Sequence, residues 1–319
     1  MILDAPTADP PLVSILVITY NQSHLIQETI ESCLRQSYEN FEIVVSDDGS
    51  TDATPLLLQN LQAAHPTKIK LVLNPVNRGI TANCNAGLAF CEGEFIALMG
   101  GDDLLLPEKL LLQVQAFRRI PELTLSYHPC FVMRDGQLTE LIGNRRKDVV
   151  LNLAQMIGNF GAQLPGPSTM VRAAAVPDYG FKSELQTASD WMFYIDVSAR
   201  GRVERLDIPL AVYRQHDANV GHHYFSYSSD FLKTLAFAKS QYGERKGISK
   251  AIKRGGTRFL LGIIYRSVEQ SRFDLTRVFL AELRRYSPRA LWVLVTAVVK
   301  FPGIAAFFRL FKNGLKRYV

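Results

Sequence analysis

The segment with the clearest chemical potential is a pair of carboxylates that follows a short apolar run. Residues 95–99 are apolar, Gly100-Gly101-Asp102-Asp103 comes directly after them, and Pro107 then opens another apolar segment. Since proline fits the first turn of a helix, the pattern predicts a buried strand with two carboxylates at its carboxyl end. Ligands of open α/β sheets bind at that edge, and adjacent carboxylates suit a hard divalent cation that bridges a diphosphate. From this stretch alone, an Asp-rich turn that caps the helix with Asp102 or Asp103 is the alternative.

The elements before this segment alternate between strand and helix. Apolar β-rich runs predict strands at 12–18, 41–46 and 69–73, and helical spacing of apolar residues predicts helices from Ser23, at 55–61 and at 80–90. Ser50 or Thr51 is available as the cap of the second helix. This rhythm predicts an α/β fold with right-handed βαβ crossovers and a mostly parallel sheet flanked by helices.

In such a sheet the loops after the first, second and fourth strands emerge at one edge. Tyr20, Asp48 and Asp102 lie in these loops, so we expect them to share a cleft. A tyrosine ring suits contact with a base, one carboxylate can accept from a base N–H, and another can bind a metal that neutralises phosphate. The sequence lacks G-x-G-x-x-G and G-x-x-x-x-G-K-[ST] motifs, which argues against a dinucleotide-binding dehydrogenase and a P-loop enzyme.

After residue 117 the pattern of apolar residues is less regular. Strands are predicted at 123–127, 130–133, 168–171, 203–206 and 210–213. Asp135-Gly136 is a strong hairpin signal. Ser189 is a natural cap for a helix over 191–199, with Asp190 in its first turn.

The charge of the chain is unevenly distributed. Its 319 residues are 47% hydrophobic, which indicates a substantial core, and carry a net charge of +6. Residues 231–319 hold 19 Lys+Arg and 4 Asp+Glu, a net charge of +15, which leaves −9 for residues 1–230. The basic part predicts contact with an anionic surface, and a solvated charged face is the alternative. Four cysteines without a C-x-x-C pair, and no signal-peptide pattern, predict buried thiols in a reducing compartment.

Two long blocks carry a resemblance to a known family. They are PLVSILVITYNQSHLIQETIESCLRQSYENFEIVVSDDGSTD at 11–52 and NRGITANCNAGLAFCEGEFIALMGGDDLLLPEKL at 77–110, and ASDW at 188–191 and YRQH at 213–216 follow in order. Over residues 12–220 the sequence resembles the family 2 glycosyltransferases of the GT-A (Rossmann-like) fold, of the bacterial cell-surface polysaccharide type. The resemblance implies inverting transfer of a sugar from a nucleotide diphosphate donor, commonly a UDP-sugar, with Mg²⁺ or Mn²⁺.

The resemblance also implies a nucleotide-binding site. Ile18 and Tyr20 match the loop that holds the base, and Asp48 matches the carboxylate that reads uracil. Asp102 matches the last aspartate of the metal motif, whose cation bridges the diphosphate. Arg78 is expected near the same diphosphate.

The remaining implied residues act on the reaction and on the metal. Asp190 matches the catalytic base, which would take the proton of the attacking sugar hydroxyl. A first-turn carboxylate that interacts with the helix dipole is the alternative. His216 lies where a late basic or metal-side residue reaches the diphosphate, and an exposed loop histidine is its alternative. We therefore expect Asp102 and His216 at the metal.

One departure from the family pattern leaves other functions open. Family members often carry Asp-x-Asp-Asp where this chain has Gly100-Gly101-Asp102-Asp103, so the first carboxylate is missing. Phosphate oxygens and waters could complete the coordination of Mg²⁺. A catalytically silent sugar-nucleotide-binding or scaffold protein is one alternative. A nucleotidyltransferase is another, although such enzymes usually need a Gly-rich basic loop where this chain has TYNQSH.

The sequence pattern divides the chain into two regions. Residues 1–230 are expected to form the catalytic GT-A domain, and residues 231–319 a basic helical extension. In the extension an apolar and a polar helical face alternate: Phe301, Ile304, Ala305, Phe308, Phe311 and Leu315 share one, and Arg309, Lys312, Asn313 and Lys316 share the other. This profile is typical of a helix that lies in a membrane interface against anionic lipid. A helix that packs on the catalytic domain is the alternative.

These features together give a cellular setting. No run of 18 apolar residues predicts a transmembrane helix, and no nucleic-acid-binding signature accompanies the basic charge. We expect a cytoplasmic protein that is peripheral on the inner face of the plasma membrane. Its acceptor would be a glycan or a polyprenyl-linked glycan precursor.

Overall fold

Four apolar strands form the parallel half of an eight-stranded sheet in the computed structural model. They are β1 (Val13–Thr19), β2 (Phe41–Asp47), β3 (Ile69–Leu73) and β4 (Phe95–Gly100). β1 pairs in parallel with β2 on one side and with β4 on the other, and β3 pairs with β2. All seven residues of β2 are buried, as expected of a strand in a sheet covered on both faces. The structure describes residues 9–143, 150–159, 164–216, 225 and 227–301.

Helices follow these strands in the predicted order. They are α1 (Ile26–Leu34), α2 (Thr54–Ala64), α3 (Ile80–Leu88) and α4 (Lys109–Arg119). A two-residue strand, β5 (Leu104–Leu105), lies between β4 and α4. The predicted α/β class with a largely parallel sheet is confirmed.

Within the described residues, seven further strands complete this sheet and, together with β5, form a smaller sheet of four strands. The strands are β6 (Leu123–Tyr127), β7 (Cys130–Arg134), β8 (Gln137–Ile142), β9 (Val150–Leu151), β10 (Met170–Arg172), β11 (Arg202–Arg205) and β12 (Ala211–Arg214), and the helices are α5 (Leu153–Gly158) and α6 (Ser189–Ser198). The large sheet has the order β3-β2-β1-β4-β10-β6-β11-β9, and the small sheet the order β5-β12-β7-β8. β10 is antiparallel to both of its neighbours.

Local sequence rules were wrong at three positions. The strand expected from Ser168 begins at Met170, because residues 166–168 form a 3₁₀ turn. Neither Ser50 nor Thr51 caps α2, whose N-cap is Ala53, since the Ser50 hydroxyl donates to the Asp47 carboxylate. Ser189 does not cap α6 either, and its hydroxyl accepts from Thr81 instead.

The chain divides into two compact units, residues 1–152 with 163–219 and residues 153–162 with 220–319. The second unit contains α5 and four further helices: α7 (Ser228–Tyr242), α8 (Ile248–Glu269), α9 (Phe273–Tyr286) and α10 (Arg289–Val299). Apolar residues of α8 and α9, such as Leu260 and Leu283, form its core. The predicted helical C-terminal extension is therefore present, and the boundary after residue 230 stays a prediction.

Two features bear on the predicted membrane contact. Among the helices that the structure describes, none combines the length and the hydropathy that crossing a bilayer requires. The amphipathic faces predicted over 301–316 lie, apart from Phe301, outside the described residues.

Candidate functional site

The ends of β1, β2 and β4 lie side by side, and the loops that follow them leave the sheet at one edge. Thr19 is opposite Asp47, and Ile18 is opposite Gly100. The amide of Asp48 donates to the carbonyl of Thr19 at 3.0 Å, and the amide of Gly101 donates to the carbonyl of Ile18 at 2.8 Å. The register thus places Tyr20, Asp48 and Asp102 just beyond the same sheet edge, as the sequence predicts.

The loop after β1 is fixed to the loop after β2 by hydrogen bonds. Asn21 adopts a left-handed conformation, with φ of 52°, which asparagine tolerates better than most residues. The side-chain oxygen of Asn21 accepts from the backbone amide of Thr51 at 2.8 Å, and the backbone amide of Asn21 donates to the Ser50 hydroxyl at 2.7 Å. Tyr20 precedes Asn21 and is 43% exposed. The loop after β1 is therefore held in place by hydrogen bonds and presents an aromatic ring that is accessible to a planar ligand.

Asp48 is buried and binds the loop that precedes α3. One carboxylate oxygen accepts from the Arg78 amide and the other from the Gly79 amide, each at 2.9 Å. Gly79 has a φ of 88°, a conformation that favours glycine. The Arg78 side chain is exposed. A carboxylate has about four acceptor positions, so Asp48 can fix this loop and still accept from a base; its role in reading uracil stays a prediction.

Asp102 and His216 meet although they are far apart in sequence. The Nε2 atom of His216 lies 2.9 Å from Oδ2 of Asp102, and the two side chains are 29% and 14% exposed. β12 delivers His216 because it pairs with β5, which follows the Asp102 turn. A Cβ atom at Gly100 would lie only 2.5 Å from Oδ1 of Asp102. The Asp102 carboxylate thus lies against the position where the family pattern has its first carboxylate.

The side chains of Asp102 and His216 suit a cation that takes most of its ligands from a bound diphosphate and from water. Asp102 supplies carboxylate oxygens and His216 an imidazole nitrogen, both of which bind Mn²⁺ or Mg²⁺. Within the described parts of the chain, no group of three or more His, Cys, Asp or Glu residues could hold a metal ion. The residues present therefore fit a metal whose other ligands are diphosphate oxygens and water.

Asp103 is more deeply buried than Asp102 and contacts the backbone of β12. It is 3% exposed, and its Oδ1 atom accepts from the Arg214 amide at 3.0 Å. Burial, together with the adjacent Asp102 charge, raises the pKa of the Asp103 carboxyl well above its usual value. Asp103 therefore fixes β12 to the turn.

Arg214 is a site residue that the sequence prediction missed. Its side chain is buried, pairs with Glu28 of α1 and donates to the Asp102 carbonyl at 3.3 Å. It thus connects α1 to the turn whose carboxylate contacts His216. Its position two residues before His216 was the available signal, but the sequence gives no hint of the distant Glu28 partner.

Asp190 lies in the first turn of α6. Its residue surface is exposed, yet the surrounding protein atoms desolvate the carboxyl and raise its pKa. Its Oδ1 atom accepts from the Trp191 amide at 2.8 Å. A raised pKa suits a group that exchanges protons, and the catalytic role of Asp190 stays a prediction.

Helix α3 connects the Asp190 region to the nucleotide loops. Thr81 donates to the Ser189 hydroxyl at 2.9 Å, next to Asp190. Cys84, one turn along α3, has a pKa raised to about 12, first by burial and then by the negative charges of Asp190 and Asp48. Both carboxylates therefore act on the same thiol, which places Asp190 near the loop edge of the sheet.

Comparisons with known proteins agree with this arrangement. The sequence model described as Glycosyl transferase family 2 matches residues 14–140. An uncharacterized protein of Mycobacterium tuberculosis is 31% identical over 229 residues, which are 70% of this chain and 64% of that protein. The chain thus spans less than two thirds of the length of this relative.

Solved structures share the fold. S. aureus TarS 1-349 in complex with UDP-GlcNAc has a TM-score of 0.56 and 18% identity, over 85% of this chain and 88% of that chain. The mannosyltransferase PcManGT from Pyrobaculum calidifontis, in complex with GDP-Man and Mn²⁺, has a TM-score of 0.59 and 17% identity, over 94% of this chain and 83% of that chain. The predicted GT-A fold is confirmed.

Proposed function

We propose that this chain, whose residues 14–140 match the model of glycosyl transferase family 2, is an inverting glycosyltransferase. It transfers a sugar from a nucleotide diphosphate donor to a glycan or lipid-linked glycan in cell-surface polysaccharide synthesis. The observation that carries the proposal is the meeting of Tyr20, Asp48 and the Asp102–His216 pair at one sheet edge. These groups offer an aromatic surface, an acceptor for a base N–H and donors for a cation on the diphosphate.

The donor is proposed to be a UDP-sugar. Exposed Tyr20 and the partly buried Ile18 border the position of the base, and Asp48 accepts from the uracil N–H. The TarS neighbour binds UDP-GlcNAc and the PcManGT neighbour binds GDP-Man, so both carry a nucleotide diphosphate sugar on this fold. The exposed Arg78 side chain, held next to Asp48 by its own backbone, provides positive charge for the diphosphate.

A divalent cation is proposed to accompany the donor, as Mn²⁺ accompanies GDP-Man in PcManGT. Asp102 and His216 would hold Mg²⁺ or Mn²⁺, which supplies positive charge where the leaving diphosphate becomes more negative. Asp103 and Arg214 hold the turn in place. The chain's own contribution is thus a positioned carboxylate and imidazole.

Asp190 is proposed to be the catalytic base. A sugar hydroxyl is a weak nucleophile near neutral pH, so a positioned carboxylate that accepts its proton accelerates attack on the anomeric carbon. Attack from the side opposite the leaving group inverts the configuration. The raised pKa of Asp190 makes its carboxylate a better proton acceptor than an ordinary aspartate.

The C-terminal helices bear on the acceptor and on the cellular location. The basic, apolar helical region favours a polyprenyl-linked acceptor at the inner face of the plasma membrane, with the protein in the cytoplasm. Fractionation of cells that express the full chain, compared with a variant that ends at residue 289, tests this placement. A variant that partitions to membranes as the parent does would contradict it.

Donor hydrolysis tests the activity and separates it from its rivals. UDP-sugar turnover is measured with and without Mn²⁺ for the parent, Asp102→Ala and Asp190→Ala. A glycosyltransferase releases UDP, and both variants lose most of the rate. A silent binding protein binds UDP without turnover, and a nucleotidyltransferase releases pyrophosphate; either result would contradict the proposal.

A further inference from the structure

Helix α10 has two apolar faces, and among the described residues one of them packs on neighbouring helices while the other is exposed. Trp292, Val295 and Val299 lie against the core of α8 and α9, and Nε1 of Trp292 donates to the Leu280 carbonyl at 2.8 Å. The opposite face consists of residues with large exposed fractions: Val293 at 51%, Leu294 at 60%, Val298 at 40% and, just beyond the helix, Phe301 at 68%. This outer face of α10 is thus a continuous apolar surface, which needs an apolar partner.

The exposed charges at the two ends of α10 are basic. Arg289 is the first residue of the helix and Lys300 directly follows it, and both are exposed. Glu282, the last acidic residue of the whole chain, is paired with Arg285 at 3.0 Å. An apolar strip with a basic residue at each end is complementary to a surface that is apolar inside and anionic at its edge.

Size excludes two other arrangements. α10 has 11 residues and is about 16 Å long, roughly half the hydrocarbon thickness of a bilayer. It can therefore lie in the plane of a membrane but cannot cross it. Stable protein interfaces take about 20–30 residues from each side, whereas this face offers four, so a second copy of the chain would gain little contact here.

We infer that the outer face of α10 inserts Val293, Leu294, Val298 and Phe301 into the headgroup boundary of an anionic bilayer. Arg289 and Lys300 then contact the lipid phosphates, as in other interfacial helices. This inference deepens the proposed action on a lipid-linked acceptor. It concerns binding alone and does not require turnover.

Vesicle co-sedimentation of the full chain tests the inference. The probes are vesicles of phosphatidylcholine alone and vesicles that also contain phosphatidylglycerol. The double variant Leu294→Gln/Val298→Gln should bind the anionic vesicles at least about tenfold more weakly than the parent, because two buried aliphatic side chains are lost. Leu56→Gln is the matched control, since Leu56 of α2 is 61% exposed, and it should bind as the parent does.

Further measurements keep the outcomes distinct. Circular dichroism and the melting temperature of the double variant should match those of the parent, because both side chains are exposed. Equal binding of the parent to the two kinds of vesicle, or unchanged binding of the double variant, would overturn the inference. So would a smaller mass of the double variant in light scattering, which would identify the face as an interface between copies. None of these results depends on donor turnover, so the proposed activity is tested separately.

Discussion

Substitution of Gly100 by alanine should disturb the metal-side groups without unfolding the protein. The new Cβ atom would lie 2.5 Å from Oδ1 of Asp102, closer than such atoms approach, so the Asp102 carboxylate must rotate away. Because that oxygen ends a short flexible side chain, the change in folding free energy should stay below about 1 kcal/mol. The rotation should break the 2.9 Å contact between Asp102 and His216.

The size of the effect follows from the contact that is lost. A hydrogen bond to a charged group contributes about 1.5–3 kcal/mol, so the affinity for UDP with Mn²⁺ should fall by about 10- to 100-fold. Titration calorimetry of UDP in the presence of Mn²⁺ measures it. In a His216→Ala background the same substitution should cost much less, because the two residues act through one contact.

A matched control removes the effect of the added methyl group itself. A Cβ atom at Gly166 would meet nothing within 4 Å, so Gly166→Ala should bind as the parent does. Gly100→Asp, which restores the first carboxylate of the family pattern, should also weaken binding, because its Cβ meets the same oxygen. Parent-like UDP–Mn²⁺ affinity of Gly100→Ala would refute the reasoning.

Three further predictions concern single ionisable groups. Asp190→Asn should lower kcat by about 10²- to 10⁴-fold with little change in UDP affinity. Because burial raises the Asp190 pKa, the kcat/KM of the parent should begin to fall on acidification at a higher pH than an ordinary aspartate would give. A parent-like rate of the variant would rule out Asp190 as the catalytic base. Burial alone would raise the pKa of Glu42, but hydrogen bonds from Lys70 and Ser14 outweigh it and lower that pKa below 4.5. The charged Glu42 therefore stabilises the fold above that pH, and this contribution is lost as the pH falls through the pKa of the folded state. Glu42→Gln should cost about 1.5–3 kcal/mol at pH 7 in urea unfolding, and equal costs at pH 7 and pH 3 would contradict this. Burial lowers the pKa of Lys109 to about 7, while the unfolded chain keeps this lysine protonated to about pH 10. The stability of the parent relative to Lys109→Met should therefore rise by about 2 kcal/mol between pH 7 and pH 9, and equal pH slopes of the two proteins in urea unfolding would refute this.

The strands and helices of the parallel half were predictable because burial requires apolar residues at regular positions in the local sequence. Central strands such as β2 are apolar throughout, and the helices between them repeat apolar residues at helical spacing. The insertion of β10 between β4 and β6 was not predictable. It depends on pairing between segments more than 40 residues apart, and a three-residue strand carries little pattern of its own.

The positions of the candidate site residues along the sheet edge were predictable, and their side-chain contacts were less so. The loop positions of Tyr20, Asp48 and Asp102 follow from strand order alone. Side-chain hydrogen bonds do not, because a hydroxyl or a carboxylate has several possible partners. Ser189 and Ser50 were expected to cap helices and instead bind distant groups.

Asp48 and Arg214 show the same limit. Arg78 was expected near the diphosphate, and no sequence pattern indicated that its backbone amide donates to Asp48. The role of Arg214 depends on Glu28, which lies 186 residues away along the chain. Such contacts exist only once the fold has brought the elements together.

A crystal structure of the full chain with UDP and Mn²⁺ is the most direct test of the proposed site. It should place the uracil between Tyr20 and Asp48, and the cation between the diphosphate and the Asp102–His216 pair. A nucleotide bound away from this sheet edge, or a diphosphate whose cation contacts neither Asp102 nor His216, would contradict the account.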